Sequence, residues 1–353
     1  MKITASVIIP TYNKSQYLDY TLMGYLNQSV KNYEIIIIND GSTDNTDEII
    51  DKYIYSLPIH YYKKDNGGIS ESRNVGLSLA QSDVVVFTDD DRIPSPNFIE
   101  NIINLINRFP KTVIIGQKEE VYTIYSNNLV ISDININESI RGREILHNWK
   151  VKNRERKLKE GMPLITTKEI AEDFYKVMHS LHYRTAKDNY QYVIERYGNN
   201  LQDFKFGWVM ATGGNTSFNK KYVPKIQFDT SFKKWGVEDI EFAYRLYLSG
   251  YNFIHSDDVV NYHQRHLSCS DKHQTLTKNL AVFATKYPCL EVFLYWQRFQ
   301  GRKWKADFNY ISCNETYEYL NSLPIEHPLS IYQNHLLKQW EETQKVVVNN
   351  HID

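Results

Sequence analysis

The chain has few cysteines and no excess of charge. Its three cysteines, Cys269, Cys289 and Cys313, lie far apart among 353 residues. An odd, widely spaced set excludes a disulfide framework and a CxxC-type zinc site, and it suits a reducing compartment. The 41 Lys and Arg residues balance 42 Asp and Glu residues, for a formal net charge of -1. Because proteins that grip nucleic acid carry a positive field, we expect no nucleic-acid partner.

Long apolar runs are also missing. No stretch approaches the roughly 20 apolar residues of a membrane-spanning helix, and Met1–Pro10 has no charged-then-apolar signal pattern. We therefore expect no transmembrane segment and a cytoplasmic location, with peripheral contact at the inner face of the membrane left open. The basic stretch Arg141–Lys159 fits either a solvated helix or a surface for an anionic membrane or acceptor.

Short apolar runs alternate with amphipathic segments over the first ~115 residues. Runs that are apolar throughout indicate strands buried on both faces, and the intervening helices indicate a mostly parallel sheet wound on both sides. The predicted strands are Ala5–Ile9, Glu34–Ile38, Pro58–Tyr62, Val84–Phe87 and Val113–Ile115. The predicted helices are Tyr17–Asn27, Thr43–Tyr55, Ser70–Ala80 and Phe98–Phe109. The chain is therefore predicted to have an α/β fold.

Polar residues follow three of these strands directly. They are the segments Thr11–Asn13, Asn39–Ser42 and Thr88–Asp91. In open α/β sheets, ligands bind beyond the carboxyl ends of the strands. We therefore expect these three segments to converge on one crevice.

Asp89, Asp90 and Asp91 form the most distinctive of these segments. Three adjacent carboxylates at the end of a buried strand repel one another unless a cation or water neutralises them. Mg²⁺ and Mn²⁺ bind carboxylate oxygens and commonly take further ligands from phosphate and water. The alternative is a solvated loop or a helix cap.

Two further segments fit a ligand pocket but also have plain structural explanations. Gly41 permits a sharp turn that would aim Asp40 into the crevice, where it could accept a hydrogen bond from a base N–H. The alternative for Asp40 is simple turn chemistry. The segment Asn66–Gly76 opens a helix whose paired glycines would let a ligand approach, with Arg73 one turn in. The alternative there is a helix start without a ligand.

These motifs occur in the order of a known family. Ser6–Asn13, Ile37–Asp44, Asn66–Gly68 with Arg73, and Phe87–Asp91 together resemble the nucleotide-sugar-binding half of family-two glycosyltransferases, which have the GT-A fold. The resemblance covers roughly residues 5–115. It implies that a group of residues borders the nucleotide-sugar. These residues are Pro10, Thr11, Tyr12, Asp40, Asn66, Gly67, Arg73, Asp89 and Asp90.

The second half carries its own motif, Trp235–Phe242, which holds three carboxylates beside a tryptophan. A plain helix N-terminus is one explanation, because acids are favoured there. The stretch also looks like the Trp-Gly-x-Glu-Asp motif of chondroitin-polymerase-like enzymes and animal β-galactosyltransferases. That likeness implies that Asp239 is the catalytic base, Glu238 an acceptor-hydroxyl ligand and Trp235 the acceptor platform. It also implies that Gly213, Gly214 and Asn215 border the transferred sugar.

The resemblance further implies a divalent cation, Mn²⁺ or Mg²⁺, held by Asp91, the last carboxylate of the DXD motif. A downstream histidine completes such sites in related enzymes, so His263 is the first choice and His266 the second. A surface turn with incidental imidazoles is the alternative, and Arg265 could instead touch the diphosphate.

The sequence thus predicts an inverting, metal-dependent transferase that moves a sugar from a nucleotide-sugar, most simply a UDP-sugar, to a glycan, lipid-linked or peptide acceptor. We expect a nucleotide-sugar-binding half at 1–118, a helical insertion at 119–205, an acceptor and catalytic half at 206–268, and a helical region at 269–353 that could form a homodimer. A sugar nucleotidyltransferase and a non-catalytic nucleotide-sugar-binding protein are the alternatives.

Overall fold

The structure is a computed structural model. It describes residues 3–126, 136–153, 157–183, 189–232, 234–266, 272–299 and 309–349. Cys269 and part of the basic stretch lie outside the described residues.

Strands and helices alternate through the first third of the chain, as predicted. The elements are β1 (Ser6–Thr11), α1 (Ser15–Leu26), β2 (Glu34–Asn39), α2 (Thr46–Tyr53), β3 (Ile59–Lys63), α3 (Ile69–Leu79), β4 (Val84–Thr88), β5 (Arg92–Pro94), α4 (Phe98–Arg108) and β6 (Thr112–Val121).

Helices interrupt and follow the sheet in the rest of the chain. These elements are α5 (Ile136–Lys152), α6 (Thr167–Glu172), α7 (Phe174–Leu181), α8 (Asn189–Tyr197), β7 (Asn215–Asn219), α9 (Glu238–Leu248), β8 (Asn252–Gln264), α10 (Lys272–Lys286), α11 (Leu290–Gln297), α12 (Tyr310–Ser322) and α13 (Pro328–Asn349), with short 3₁₀ turns at Gly207–Met210 and Lys220–Tyr222.

Within the described residues, the strands form one eight-stranded sheet in the order β3-β2-β1-β4-β7-β6-β8-β5. Strands β1 to β4 run parallel, as does the pair β6–β8. β7 runs antiparallel to both of its neighbours, and β5 runs antiparallel to β8. The predicted mostly parallel sheet flanked by helices is confirmed.

The continuous apolar strands are buried on both faces because helices cover both sides of the sheet. Alternate residues of one strand enter different cores. Ile8, Ile36 and Phe87 contribute to one core, whereas their neighbours Ile9 and Ile37 contribute to the other. This two-sided burial explains why the sequence shows no polar alternation in these strands.

Two strand ends differ from the predictions by more than one residue, and one short strand was not predicted. β1 continues through Pro10, which the sequence predicted as its end; pairing with β4 stops at Ile8, so Pro10 falls where β1 is paired with β2 alone. β6 extends to Val121 through a polar stretch that carries no apolar signal. β5 was not predicted, because three residues give too short a pattern.

Helices α5 to α8 lie between β6 and β7, and α10 to α13 follow β8. The predicted helical insertion and helical C-terminal region are therefore present, while the domain boundaries stay a prediction. Trp340 of α13 packs against Phe293 and Trp296 of α11, which ties the last helix to the fold. None of the helices described is long and apolar enough to span a membrane.

Candidate active site

The three predicted segments lie at the carboxyl ends of neighbouring parallel strands. Thr11 ends β1, Asn39 ends β2 and Thr88 ends β4. The three aspartates after β4 lead into β5, whose first residue, Arg92, pairs with His263 of β8. This pairing brings a histidine from the second half of the chain to Asp91.

Asp91, His263 and His266 form a cluster whose candidate ligand atoms all lie within 4.8 Å of one another. The Nε2 atom of His266 is 3.0 Å from Oδ2 of Asp91, and the Nε2 atom of His263 is 3.8 Å from Oδ1. Oδ1 of Asp91 is buried and has no hydrogen-bond partner among the described residues. A carboxylate with an unused oxygen beside two imidazoles fits a divalent cation such as Mn²⁺.

Positive groups surround the buried carboxylates. Burial alone would raise the pKa of Asp91, but Lys14, His266 and His263 outweigh that effect and hold it well below its usual range. Burial raises the pKa of Asp90 to about 7, although the ammonium of Lys14 opposes the shift. For Lys14 itself, burial would lower the pKa, but the charge of Asp91 outweighs it and the pKa is raised. Lys14 therefore stays a cation inside an acidic cluster.

Glu120 is a site residue that the sequence analysis missed. Its Oε2 lies 2.8 Å from Nδ1 of His263 and accepts a hydrogen bond of 2.9 Å from the hydroxyl of Tyr183. Burial alone would raise its pKa, but the contact with His263 lowers it to about 2. With Nδ1 engaged, Nε2 of His263 faces Asp91, the arrangement by which carboxylates orient metal-binding histidines. Only the pairing of β6 with β8 reveals this role, because Glu120 stands in a polar stretch with no strand signal.

Arg73 joins the two halves of the site. Its guanidinium donates to Oδ1 of Asp89 and to Oε1 of Glu238, both at 3.2 Å, and its carbon lies 5.3 Å from the ring centre of Phe228. The side chain is only 2% exposed. The acids near position 90 and those near position 239 therefore lie in one cleft. Contact between Arg73 and the nucleoside stays a prediction.

The glycines of the second half allow this close approach. A Cβ atom on Gly213 would lie 2.1 Å from Nη2 of Arg73, and one on Gly214 would lie 2.7 Å from Oδ2 of Asp89. Larger residues at these positions would displace the guanidinium of Arg73 or the carboxylate of Asp89. Asn215 is buried, and its amide donates to the carbonyls of Gln117 and Val259, so its side chain supports the sheet beneath the loop.

A strained turn presents Trp235 and the acids of α9. Val237 has a φ of 76° and Gly236 a φ of 101°, and a β-branched residue in the left-handed region is uncommon. Trp235 is half exposed beside this turn. Asp239 accepts hydrogen bonds from the backbone N–H groups of Gly213 at 2.9 Å and Ile240 at 2.8 Å, which fix its carboxylate.

Glu238 differs from Asp239 because it is almost completely buried. Its Oε2 accepts from the N–H of Gly236 at 3.0 Å while its Oε1 pairs with Arg73. Burial and the charge of Asp239 raise the pKa of Glu238 to about 7, against the opposing effect of Arg73. The predicted contact of Glu238 with an acceptor hydroxyl stays a prediction.

Asp40, directly after β2, is held by hydrogen bonds from the segment that precedes α3. It accepts from Lys64 at 2.5 Å and from the N–H groups of Gly67 and Gly68 at 3.0 and 2.8 Å, and Asn66 donates to its carbonyl. Burial alone would raise the pKa of Asp40, but these hydrogen bonds outweigh it and lower the pKa.

The remaining predicted residues differ in exposure and in their partners. Thr11 is buried, and its carbonyl accepts a hydrogen bond of 2.9 Å from the N–H of Asp40. Tyr12 is half exposed. Arg265, the alternative contact for a diphosphate, donates to the hydroxyl of Tyr183 at 2.9 Å and lies over its ring, and its contact with a diphosphate stays a prediction.

Comparisons with known proteins match both halves of this site. Residues 6–162 match the model described as Glycosyl transferase family 2, and residues 196–266 match the model described as the N-terminal domain of galactosyltransferase. The first match includes the aspartates after β4, and the second includes the Trp235 turn and both histidines.

Similar curated proteins are glycosyltransferases of bacteria. The chain is 24% identical over 287 residues to an uncharacterized glycosyltransferase, YfnE of Bacillus subtilis, covering 80% of this chain and 70% of YfnE. It is 30% identical over 264 residues to hyaluronan synthase of Pasteurella multocida, and 28% identical over 265 residues to chondroitin synthase of Escherichia coli. Both alignments cover 73% of this chain, but they cover 24% of the hyaluronan synthase and 34% of the chondroitin synthase. The chain therefore spans about a quarter to a third of the length of these synthases.

Solved structures resemble the whole chain. S. aureus TarS 1-349 in complex with UDP-GlcNAc superposes with a TM-score of 0.55 at 16% identity, covering 99% of this chain and 84% of TarS 1-349. The same protein in complex with UDP gives a TM-score of 0.50 over 92% of this chain and 76% of that one. At this identity the likeness concerns the fold, and it confirms the predicted GT-A architecture.

Proposed function

We propose that the chain is an inverting, metal-dependent glycosyltransferase of family 2 that transfers a sugar from a UDP-sugar to an acceptor hydroxyl. The observation that carries the proposal is the bridge of Arg73 between Asp89 and Glu238, at 3.2 Å on both sides. Arg73 thus holds together Asp89, which we assign to the donor side, and Glu238, which we assign to the acceptor side.

Asp239 is the base of the proposed reaction. Its carboxylate lies in the cleft and is oriented by two backbone N–H groups, as a general base needs to be. It takes the proton of the acceptor hydroxyl while that oxygen bonds to the anomeric carbon. The bond from this carbon to the diphosphate oxygen breaks, and its electron pair leaves with the nucleoside diphosphate. The single displacement inverts the anomeric centre and needs no covalent enzyme intermediate.

The remaining residues hold the two substrates. Asp91, His263 and His266 would hold the divalent cation, with Glu120 orienting His263. When bound, the cation neutralises the negative charge that accumulates on the departing diphosphate. Asp40, Asn66 and Gly67 form the nucleotide wall.

Trp235 supplies an apolar face for the acceptor sugar ring, and Glu238, which Arg73 holds in place, binds an acceptor hydroxyl. We propose that residues 1–118 bind the donor and 206–268 the acceptor. The helices of 119–205 and 269–353 would then select the acceptor and form any homodimer. Because similar proteins are named as chondroitin and hyaluronan synthases, bacterial polysaccharides are the first acceptor class to test.

The test is release of UDP from a panel of UDP-sugars, with and without Mn²⁺. We expect slow release that depends on Mn²⁺ and accelerates when the acceptor is supplied. A nucleotidyltransferase would instead form pyrophosphate from UTP and a sugar 1-phosphate. A non-catalytic binding protein would bind UDP without releasing it from any sugar. Either of these two results would contradict the proposal.

A further inference from the structure

The ammonium of Lys14 lies inside the candidate metal cluster. Its Nζ atom is 2.6 Å from Oδ2 of Asp91 and 2.7 Å from Nε2 of His266. These two atoms are themselves 3.0 Å apart, so the three form a compact triangle. Lys14 is the residue before α1, next to the loop that ends β1, and its side chain is 24% exposed.

The triangle contains two hydrogen-bond patterns that exclude each other. Nε2 of His266 either carries a proton and donates to Asp91, or offers a lone pair and accepts from Lys14. In the second pattern Lys14 binds one oxygen of the Asp91 carboxylate and uses the imidazole lone pair of His266 that a metal ion would need. The ammonium therefore occupies the place that the donor set offers to a cation.

A divalent cation and this ammonium cannot both bind the Asp91 carboxylate and Nε2 of His266, because there is one lone pair on that nitrogen and the two charges repel strongly in a buried site. Metal binding therefore requires Lys14 to move. Its partly exposed, flexible side chain can do so by turning about its own stem, toward the adjacent nucleotide wall.

We propose that Lys14 is an exchangeable cation of the active site. It neutralises Asp91 before metal and donor arrive, and it then moves to contact the diphosphate of the nucleotide. This inference rests on the proposed function, since the diphosphate is the anion that the donor would bring. Lysine serves well in the second role, because it binds phosphate as a mobile point charge.

Calorimetry on the variant Lys14→Met tests the exchange with two readouts that move in opposite directions. Without nucleotide, Mn²⁺ should bind about tenfold more tightly than to the wild type, because the competing charge is gone. In saturating Mn²⁺, UDP should bind about tenfold more weakly, because its phosphate contact is lost. If Lys14 only stabilised the loop, its loss would not strengthen Mn²⁺ binding while weakening UDP binding.

Three controls sharpen the experiment. Lys52→Met removes a lysine that also lies 2.6 Å from an aspartate, Asp19, but outside the cluster, and it should change neither affinity. The tighter Mn²⁺ binding should disappear in the double variant Lys14→Met/Asp91→Ala. Circular dichroism checks folding, and Lys14→Gln replaces Lys14→Met if the latter does not fold.

The outcomes separate this proposal from the function on which it rests. A wild type that binds neither Mn²⁺ nor UDP would overturn both. A wild type that binds both, with unchanged Mn²⁺ affinity or unchanged UDP affinity in Lys14→Met, would overturn the exchange and leave the proposed function standing.

Discussion

Two groups of three acids in this chain look alike in sequence but have different surroundings in the fold. Asp89, Asp90 and Asp91 follow β4 and face the cations of the cleft, among them Lys14 and Arg73. The three acids at the start of α9, Glu238, Asp239 and Glu241, have three different sets of partners. Glu238 is bound by Arg73, and Asp239 is held by two backbone N–H groups.

Glu241, the third acid of α9, leaves the cleft altogether. It is fully buried and bound by Arg245 at 2.8 and 2.9 Å, by Lys286 at 2.5 Å and by the hydroxyl of Tyr287 at 2.9 Å. The comparison teaches that the fold gives neighbouring acids different partners. We therefore expect a catalytic role for Asp239, acceptor binding for Glu238 and a structural role for Glu241. The predictions below test this division, from the largest expected effect to the smallest.

The largest effect is expected for Asp239→Asn. Loss of the base should lower the transfer rate about 10²–10⁴-fold, because general-base catalysis contributes that much. Binding of UDP with Mn²⁺ by calorimetry should stay unchanged. Asp258→Asn, an exposed aspartate of β8, is the matched control and should keep its rate. Full turnover by Asp239→Asn would remove Asp239 as the base.

Glu241→Gln should lower the stability of the fold and leave the transfer rate unchanged. Removing the charge leaves Arg245 and Lys286 without their buried partner, and the free energy of unfolding should fall by about 2–3 kcal/mol. The figure is modest because both cations are partly exposed. Urea denaturation measures the loss, and the folded variant should keep its transfer rate. A stable variant with a greatly reduced rate would place Glu241 in the chemistry.

A smaller effect is expected for Glu120→Gln on the metal side. The substitution removes the carboxylate that orients His263, so the affinity for Mn²⁺ should fall about 10–100-fold. Glu119→Gln is the control on the neighbouring position of β6, where the carboxylate contacts His182 instead. Calorimetric affinities that are equal in the two variants would contradict the role of Glu120.

The smallest effect is a slope in stability against pH. The pKa of Glu238 is raised to about 7 in the folded protein, above its unfolded value near 4.5, so the folded state holds the proton more strongly. Stability should therefore fall as the pH rises from about 4.5 to 7. Glu238→Gln should give a shallower slope, and a residual slope should come from Asp90. An unchanged slope in thermal melts would contradict the burial argument.

The order of strands and helices in the first third of the chain could be predicted from sequence, because two-sided burial leaves continuous apolar runs. The polar residues after these strands could be assigned to one edge of the sheet, because the carboxyl ends of parallel strands lie together. The partners could not be predicted, since Glu120, Lys14 and Arg73 meet their acids through pairings between distant parts of the chain. Arg73 illustrates the limit. Its place one turn into α3 suggested a ligand contact, which stays a prediction, but gave no sign of its carboxylate partners 16 and 165 residues away.

The central claim is that acids from both halves of the chain share one cleft with the cation. The most direct measurement is a crystal structure of the protein with Mn²⁺ and UDP, using the anomalous scattering of manganese. We expect the manganese peak at Asp91, His263 and His266, with Arg73 still linking Asp89 to Glu238. A peak elsewhere, or Asp239 on a different face of the molecule from the bound UDP, would contradict the account.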